Sequence, residues 1–125
     1  MENLIKEIEI YAEEKNIPIM QKKGIDFLCK IIDKGNVKNI LEIGTAIGYS
    51  SIKMALVNKD INVTTIERDE ERYIEAIKNI KKAKLDKRIN VIFKDALDIN
   101  LEDKYDLIFI DAAKSQYIKF FNKYK

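Results

Sequence analysis

Four acidic residues stand where the strands of this chain are expected to end: Glu42, Glu67, Asp95 and Asp111. The first lies in Ile40-Leu41-Glu42-Ile43-Gly44-Thr45-Ala46-Ile47-Gly48-Tyr49-Ser50-Ser51. This run reads as a buried strand that breaks at a glycine and restarts as a helix near Tyr49. A turn of small residues lets a ligand approach the backbone closely, and the free N–H groups of the helix start face it. That geometry suits a nucleotide-like ligand carrying a carboxylate or phosphate. The spacing is Glu-x-Gly-x-x-x-Gly, not the Gly-x-Gly-x-x-Gly of dinucleotide binders. It points away from NAD and toward S-adenosylmethionine.

Each strand end has a role that ligand chemistry suggests. Gly44, Thr45, Gly48, Tyr49 and Ser50 form the cofactor side of the turn, with Ser50 and nearby N–H groups on the ligand's carboxylate. Glu67, 25 positions beyond Glu42, is placed to accept hydrogen bonds from both ribose hydroxyls. Asp95 is placed to accept from an adenine amino group while the Ala96 N–H donates to a ring nitrogen. Asp111 is a candidate ligand for a hard cation such as Mg²⁺, which takes carboxylate oxygens. Simpler roles compete at each position. Glu67, Asp69 and Asp111 suit helix caps, and the glycines suit ordinary turns. Asp98, Glu102, Asp103 and the basic run Lys78 to Arg88 read as solvated charges.

The elements that position these residues alternate. A helical stripe covers Leu4 to Lys15, and Pro18 fits the first turn of a second helix that ends at Gly35-Asn36. Strand one spans Val37 to Ile43 and its helix about Tyr49 to Asn58. Strand two is Ile61 to Glu67, followed by a helix capped by Asp69 and reaching about Lys84. Strand three is Ile89 to Lys94 and strand four Tyr105 to Ile110. A last helix is expected from about Ala113, with Tyr117, Phe120 and Phe121 on one face. The pattern predicts an α/β fold: a Rossmann-like, doubly wound parallel sheet preceded by N-terminal helices. Residues 1–125 read as a single domain, with 1–36 a helical segment and 37–125 the cofactor-binding core. Leu107-Ile108-Phe109-Ile110 is too apolar for an open sheet edge. The sequence therefore reads as truncated after its fourth strand, or as a chain whose edge a partner covers.

Composition narrows the chemistry. Apolar residues make up 46% and charged residues 35% of the chain, which is globular, and a net charge of +2 neither demands nor excludes nucleic acid. With no histidine, no Ser-His-Asp triad or histidine-ligated metal can be built. The single cysteine, Cys29, rules out an internal disulfide and reads as an inert core residue. No apolar run approaches the roughly 18 residues of a membrane span, so a soluble, cytoplasmic protein without membrane contact is expected.

These motifs together resemble the class I S-adenosylmethionine-dependent O-methyltransferases of the catechol and caffeoyl-CoA type. Leu41 to Ser50 is similar to the family's first motif, Thr65-Ile66-Glu67 to its ribose motif and Asp95-Ala96 to its adenine motif. Phe109-Ile110-Asp111-Ala112-Ala113-Lys114 resembles its metal and catalytic motif. Tyr11-Ala12-Glu13-Glu14 and Ile17-Pro18-Ile19-Met20 resemble the bacterial branch that methylates 5-hydroxyuridine at the tRNA wobble position. The resemblance implies methyl transfer from S-adenosylmethionine to a hydroxyl activated by a divalent metal, Mg²⁺ or Mn²⁺, with Asp111 as a metal ligand and Lys114 as general base. It also implies tRNA or a small hydroxyl-bearing molecule as substrate, and a homodimer. The family completes its metal site with an Asp-Asn pair beyond Lys125, so a catalytically incomplete, cofactor-binding fragment is the further alternative. A nicotinamide-dependent oxidoreductase is disfavoured by the missing Gly-x-Gly-x-x-Gly.

Overall fold

The computed structural model describes residues 1–95, 105–112 and 115–120. Two helices come first, α1 (Glu2–Glu14) and α2 (Lys22–Lys34). There follow β1 (Asn39–Ile43), α3 (Tyr49–Ala55), β2 (Asn62–Glu67), α4 (Glu70–Lys82), β3 (Ile89–Phe93), β4 (Leu107–Ala112) and β5 (Ser115–Phe120). The strand order is β3-β2-β1-β4-β5. The first four strands are mutually parallel, and the chain order reverses direction at β1, as the doubly wound pattern requires.

Register decides which side chains share a face. Ile40, Val63 and Leu107 align, as do Glu42, Thr65 and Phe109, so these six lie on one face. This face carries the main core: Ile40, Val63, Leu107 and Phe109 pack with Ile25, Leu28, Ile32, Ile52 and Ile80 from the helices. Both crossovers, through α3 and α4, move the same way along the sheet, and right-handed connections therefore place both helices on this face. The opposite face holds buried Leu41 and Ile66 but half-buried Ile43, Ile92, Ile108 and Ile110.

Local sequence explains most boundaries. Asp69 caps α4, its carboxylate accepting from the Arg72 N–H at 3.1 Å, as expected. Three helices end on a left-handed residue: Asn16, Asn36 and Lys84, with φ of 55°, 53° and 60°. Each is followed by the longer closing bond of that motif, such as Val37 N–H to Ile32 carbonyl at 3.2 Å. The α2 terminus therefore uses Asn36 in the left-handed role, while Gly35 stays right-handed at φ −81°. Pro18 lies outside any helix, because α2 starts only at Lys22, after an extended Gln21. From the basic run, Arg88 turns inward: its Nη1 donates to the carbonyls of Ala55, Asn58 and Ile61 at 2.9–3.0 Å, closing the α3–β2 connection.

One element differs outright. In place of the last helix, residues 115–120 form β5, antiparallel to β4 with Asp111 opposite Gln116. Tyr117 and Phe120 therefore lie in a strand, and Phe121 lies outside the described residues. The segment Ser-Gln-Tyr-Ile-Lys-Phe mixes β-branched and aromatic residues with polar ones, a composition that favours strand. Pairing also satisfies the backbone of β4, so the edge expected to lie open is covered from within the chain. Among the described residues no helix is long and apolar enough to cross a membrane.

Candidate functional site

The order reversal puts a crevice beyond the carboxyl ends of β1 and β4, where open α/β sheets take their ligands. Its near wall is the turn from β1 into α3. Three of five consecutive turn residues are left-handed: Gly44 at φ 97°, Ala46 at 50° and Gly48 at 90°. Gly44 is glycine for a second reason, since a Cβ there would lie 2.7 Å from the Asp111 carbonyl oxygen. The Gly44 and Thr45 N–H groups both donate to the Ile66 carbonyl, at 2.9 and 3.2 Å. The turn is thereby bonded to the end of β2 as well as pressed against the end of β4.

Glu42 lies beneath the turn and has no exposed surface. Its Oε2 accepts from the Ser50 hydroxyl, and its Oε1 accepts from the Ser51 hydroxyl and, at 2.7 Å, from Thr65. Since the Thr65 proton goes to Glu42, the 2.6 Å contact between Thr45 and Thr65 has Thr45 as donor. Three hydroxyls from β2 and α3 thus converge on one carboxylate, and the Thr45 hydroxyl of the turn extends the chain through Thr65. Burial pushes the Glu42 carboxyl up to about 7, against the opposing effect of its three hydroxyl donors and with help from the nearby Asp111 charge.

Glu67, at the end of β2, is 6% exposed. Its Oε1 accepts from the Ala46 N–H at 2.8 Å and its Oε2 from the Asp69 N–H at 2.9 Å. The carboxylate joins the turn to the start of α4 and keeps a second lone pair on each oxygen. Asp111 shares the helix-covered face with Phe109 and reaches the crevice beside Gly44. Asp95 is half-buried, two residues past β3.

The structure thus brings Gly44, Thr45, Glu67 and Asp111 together at the strand ends, with Glu42 and Ser50 bonded to each other beneath the turn. Two other expected residues face elsewhere. Gly48 packs its backbone against α4, where a Cβ would meet the Ala76 carbonyl at 3.4 Å. The Tyr49 ring is buried, and its hydroxyl donates to Glu9 of α1 at 2.9 Å, so it joins α1 to the turn. Burial raises the Tyr49 pKa well above the ordinary phenol value, and the Glu9 contact raises it further. The Ser50 proton is directed at Glu42 and not into the crevice. Replacing Tyr49 with Phe is expected to destabilise the chain by about 1 kcal/mol through loss of that bond. A urea titration reads it as a lower midpoint at unchanged slope, and an unchanged midpoint would exclude the Glu9 bond as a stabilising contact.

Ala96 and Lys114 lie outside the described residues. Among the described residues no group of three His, Cys, Asp or Glu side chains is placed to hold a metal ion. Asp111 alone does not satisfy Mg²⁺, which demands six oxygens in near-octahedral array. No chemical step is therefore assigned to a cation here. Cys29 packs against the core half-buried, and burial pushes its thiol pKa up, which makes it a poor nucleophile.

Sequence reading gave Ser51 and Thr65 a place in motifs but not their bonds to Glu42, and it passed over Asn79. Thr65 was accessible through period-two alternation, which puts it on the same face as Glu67. Asn79 falls on the buried stripe Ala76-Asn79-Ile80, and a polar residue on such a stripe signals a specific partner. That partner is the Ile47 carbonyl, 2.9 Å from Asn79 Nδ2.

A family model described as O-methyltransferase matches residues 1–124. The chain belongs to that O-methyltransferase family. A catechol O-methyltransferase of Niastella koreensis is 37% identical over 102 residues, covering 76% of this chain and 46% of the relative. A solved Staphylococcus aureus protein superimposes with a TM-score of 0.83 at 44% identity, over 89% of this chain and 55% of that one. An O-methyltransferase from Bacillus cereus, solved in complex with SAH, gives a TM-score of 0.78 at 31% identity, over 88% and 54%. The chain spans about half the length of the curated relatives it matches, 47%, 49% and 46% of three of them.

Proposed function

We propose that this chain forms the S-adenosylmethionine-binding part of an O-methyltransferase whose acceptor is a small phenolic hydroxyl. The observation that carries the reading is the left-handed turn at the β1–β4 reversal, bonded to Glu67 and pressed against Asp111. The turn admits the cofactor against its backbone, and the first-turn N–H groups of α3 have no intrahelical acceptor. Glu67 offers its remaining lone pairs to the ribose hydroxyls, and Asp95 with Ala96 frames the adenine edge. Asp111 and Lys114 border the acceptor, with Lys114 removing the hydroxyl proton as the oxygen attacks the sulfonium methyl in line. Most of the acceleration in such a transfer comes from holding the two reactants in that line.

The phenolic acceptor follows from relatives such as the catechol O-methyltransferase of Niastella koreensis. The upstream residues Tyr11-Ala12-Glu13-Glu14 and Ile17-Pro18-Ile19-Met20 favour a second reading, 5-hydroxyuridine in tRNA. Methyl transfer by the protein to catechol, but not to hydroxyuridine-bearing tRNA, supports the first, and the reverse result replaces it with the second. A homodimer and a cytoplasmic setting belong to the same proposal. Isothermal titration of this chain with S-adenosylhomocysteine is expected to show single-site binding. Glu67→Gln should weaken it about tenfold, as loss of a charge-assisted bond does. A folded sample without measurable binding overturns the cofactor assignment.

A further inference from the structure

We propose that Asn79 is a positioning residue for the cofactor turn, acting from α4 through the Ile47 carbonyl. The inference rests on the cofactor reading above but concerns a residue that touches no ligand. Ala46 is a non-glycine residue at φ 50°, an unfavourable conformation that persists only where its surroundings enforce it. Two side chains do so on adjacent residues. Glu67 accepts from the Ala46 N–H at 2.8 Å, and Asn79 donates to the Ile47 carbonyl at 2.9 Å. Between them they fix the orientation of the Ala46–Ile47 segment, and with it the direction of the turn's backbone toward the crevice.

Helix formation alone gives no reason for asparagine there. Asn79 is 4% exposed in the last turn of α4, flanked on its stripe by Ala76 and Ile80. Asparagine is a weaker helix former than leucine, and burying its amide is unfavourable unless the amide is bonded. Its side-chain bond crosses 32 residues to the turn and does nothing for α4 itself. Beside it, the close backbone approach of Gly48 to Ala76 brings the turn within reach of a side chain as short as asparagine. Helix α4 therefore serves as the support against which the turn is set.

The test uses Asn79→Leu, which keeps the branched heavy-atom shape and removes the donor, and Asn79→Ser, which keeps a polar group too short to reach the carbonyl. In both, S-adenosylhomocysteine affinity by titration calorimetry should fall about tenfold. Without ligand, hydrogen exchange at the Ala46 and Gly48 amides should accelerate about tenfold while Val63 and Thr65 in β2 keep wild-type rates. A merely structural role would instead speed all four together or leave affinity unchanged in the folded protein, and either result overturns the proposal. If the wild type fails to bind S-adenosylhomocysteine, the cofactor reading fails. The exchange pattern then decides alone whether Asn79 sets the turn, and uniform rates overturn it. If Asn79→Leu does not fold, Asn79→Ser gives the same comparison.

Discussion

Glu42→Gln is expected to remove a pH dependence of stability that the wild type shows between about pH 4.5 and pH 7. In the folded chain the Glu42 carboxyl titrates near 7, whereas its ordinary value is 4.5. The folded state therefore holds more protons than the unfolded state across that window, so wild-type stability falls as pH rises through it. A shift of that size corresponds to roughly 3 kcal/mol, present below the unfolded value and lost above the folded one. Glutamine does not titrate, and its amide oxygen still accepts from the hydroxyls around it. Urea midpoints at pH 5 and pH 8 should thus diverge, with the variant gaining on the wild type at the higher pH. Parallel curves would sink the assignment of Glu42 as a buried, titrating centre. Glu42→Ala separates charge from bonding: it leaves Ser50, Ser51 and Thr65 without their acceptor and opens a cavity, costing about 3 kcal/mol even at pH 5.

Glu42 also shows what sequence alone conveys. The Glu-x-Gly turn was legible because strand and helix periodicities meet at it, and an acid at the end of a buried strand stands out. Its contacts were not legible, because Ser50, Ser51 and Thr65 arrive from α3 and β2, and only the β1–β2 register aligns Thr65 with Glu42. The same applies to Tyr49. Its place in the motif suggested a ligand contact, yet its hydroxyl reaches Glu9, 40 residues upstream. Local chemistry read more reliably: the Asp69 cap depends on bonds within one turn, and the sequence displays both ends. The last segment read as helix because Tyr117, Phe120 and Phe121 recur at helical spacing. Six residues give a weak period, and pairing with the unfilled edge of β4 outweighed it.

Gly44→Ala is the second change with a large expected effect, and Gly48→Ala is its control. Both glycines are left-handed, at φ 97° and 90°, so alanine pays the same conformational penalty of about 1 kcal/mol at either site. Their surroundings differ. At Gly48 the nearest atoms to a new Cβ lie at 3.4–3.5 Å, ordinary contact that the α4 side can absorb. At Gly44 the new Cβ falls 2.7 Å from the Asp111 carbonyl oxygen, inside van der Waals contact with backbone of the neighbouring strand. Relief requires β1 and β4 to part where the sheet reverses, and Ile43 and Ile110 are register partners there. Gly44→Ala should therefore cost about 3 kcal/mol, well beyond Gly48→Ala, and abolish S-adenosylhomocysteine binding in the protein that remains folded. Thermal unfolding ranks the two variants, and calorimetry below their midpoints reads the binding. Equal destabilisation would mean that only backbone conformation selects glycine at position 44. A larger loss at Gly44 ties that glycine to the spacing of two strands, and so makes the width of the crevice a property of the sheet reversal itself.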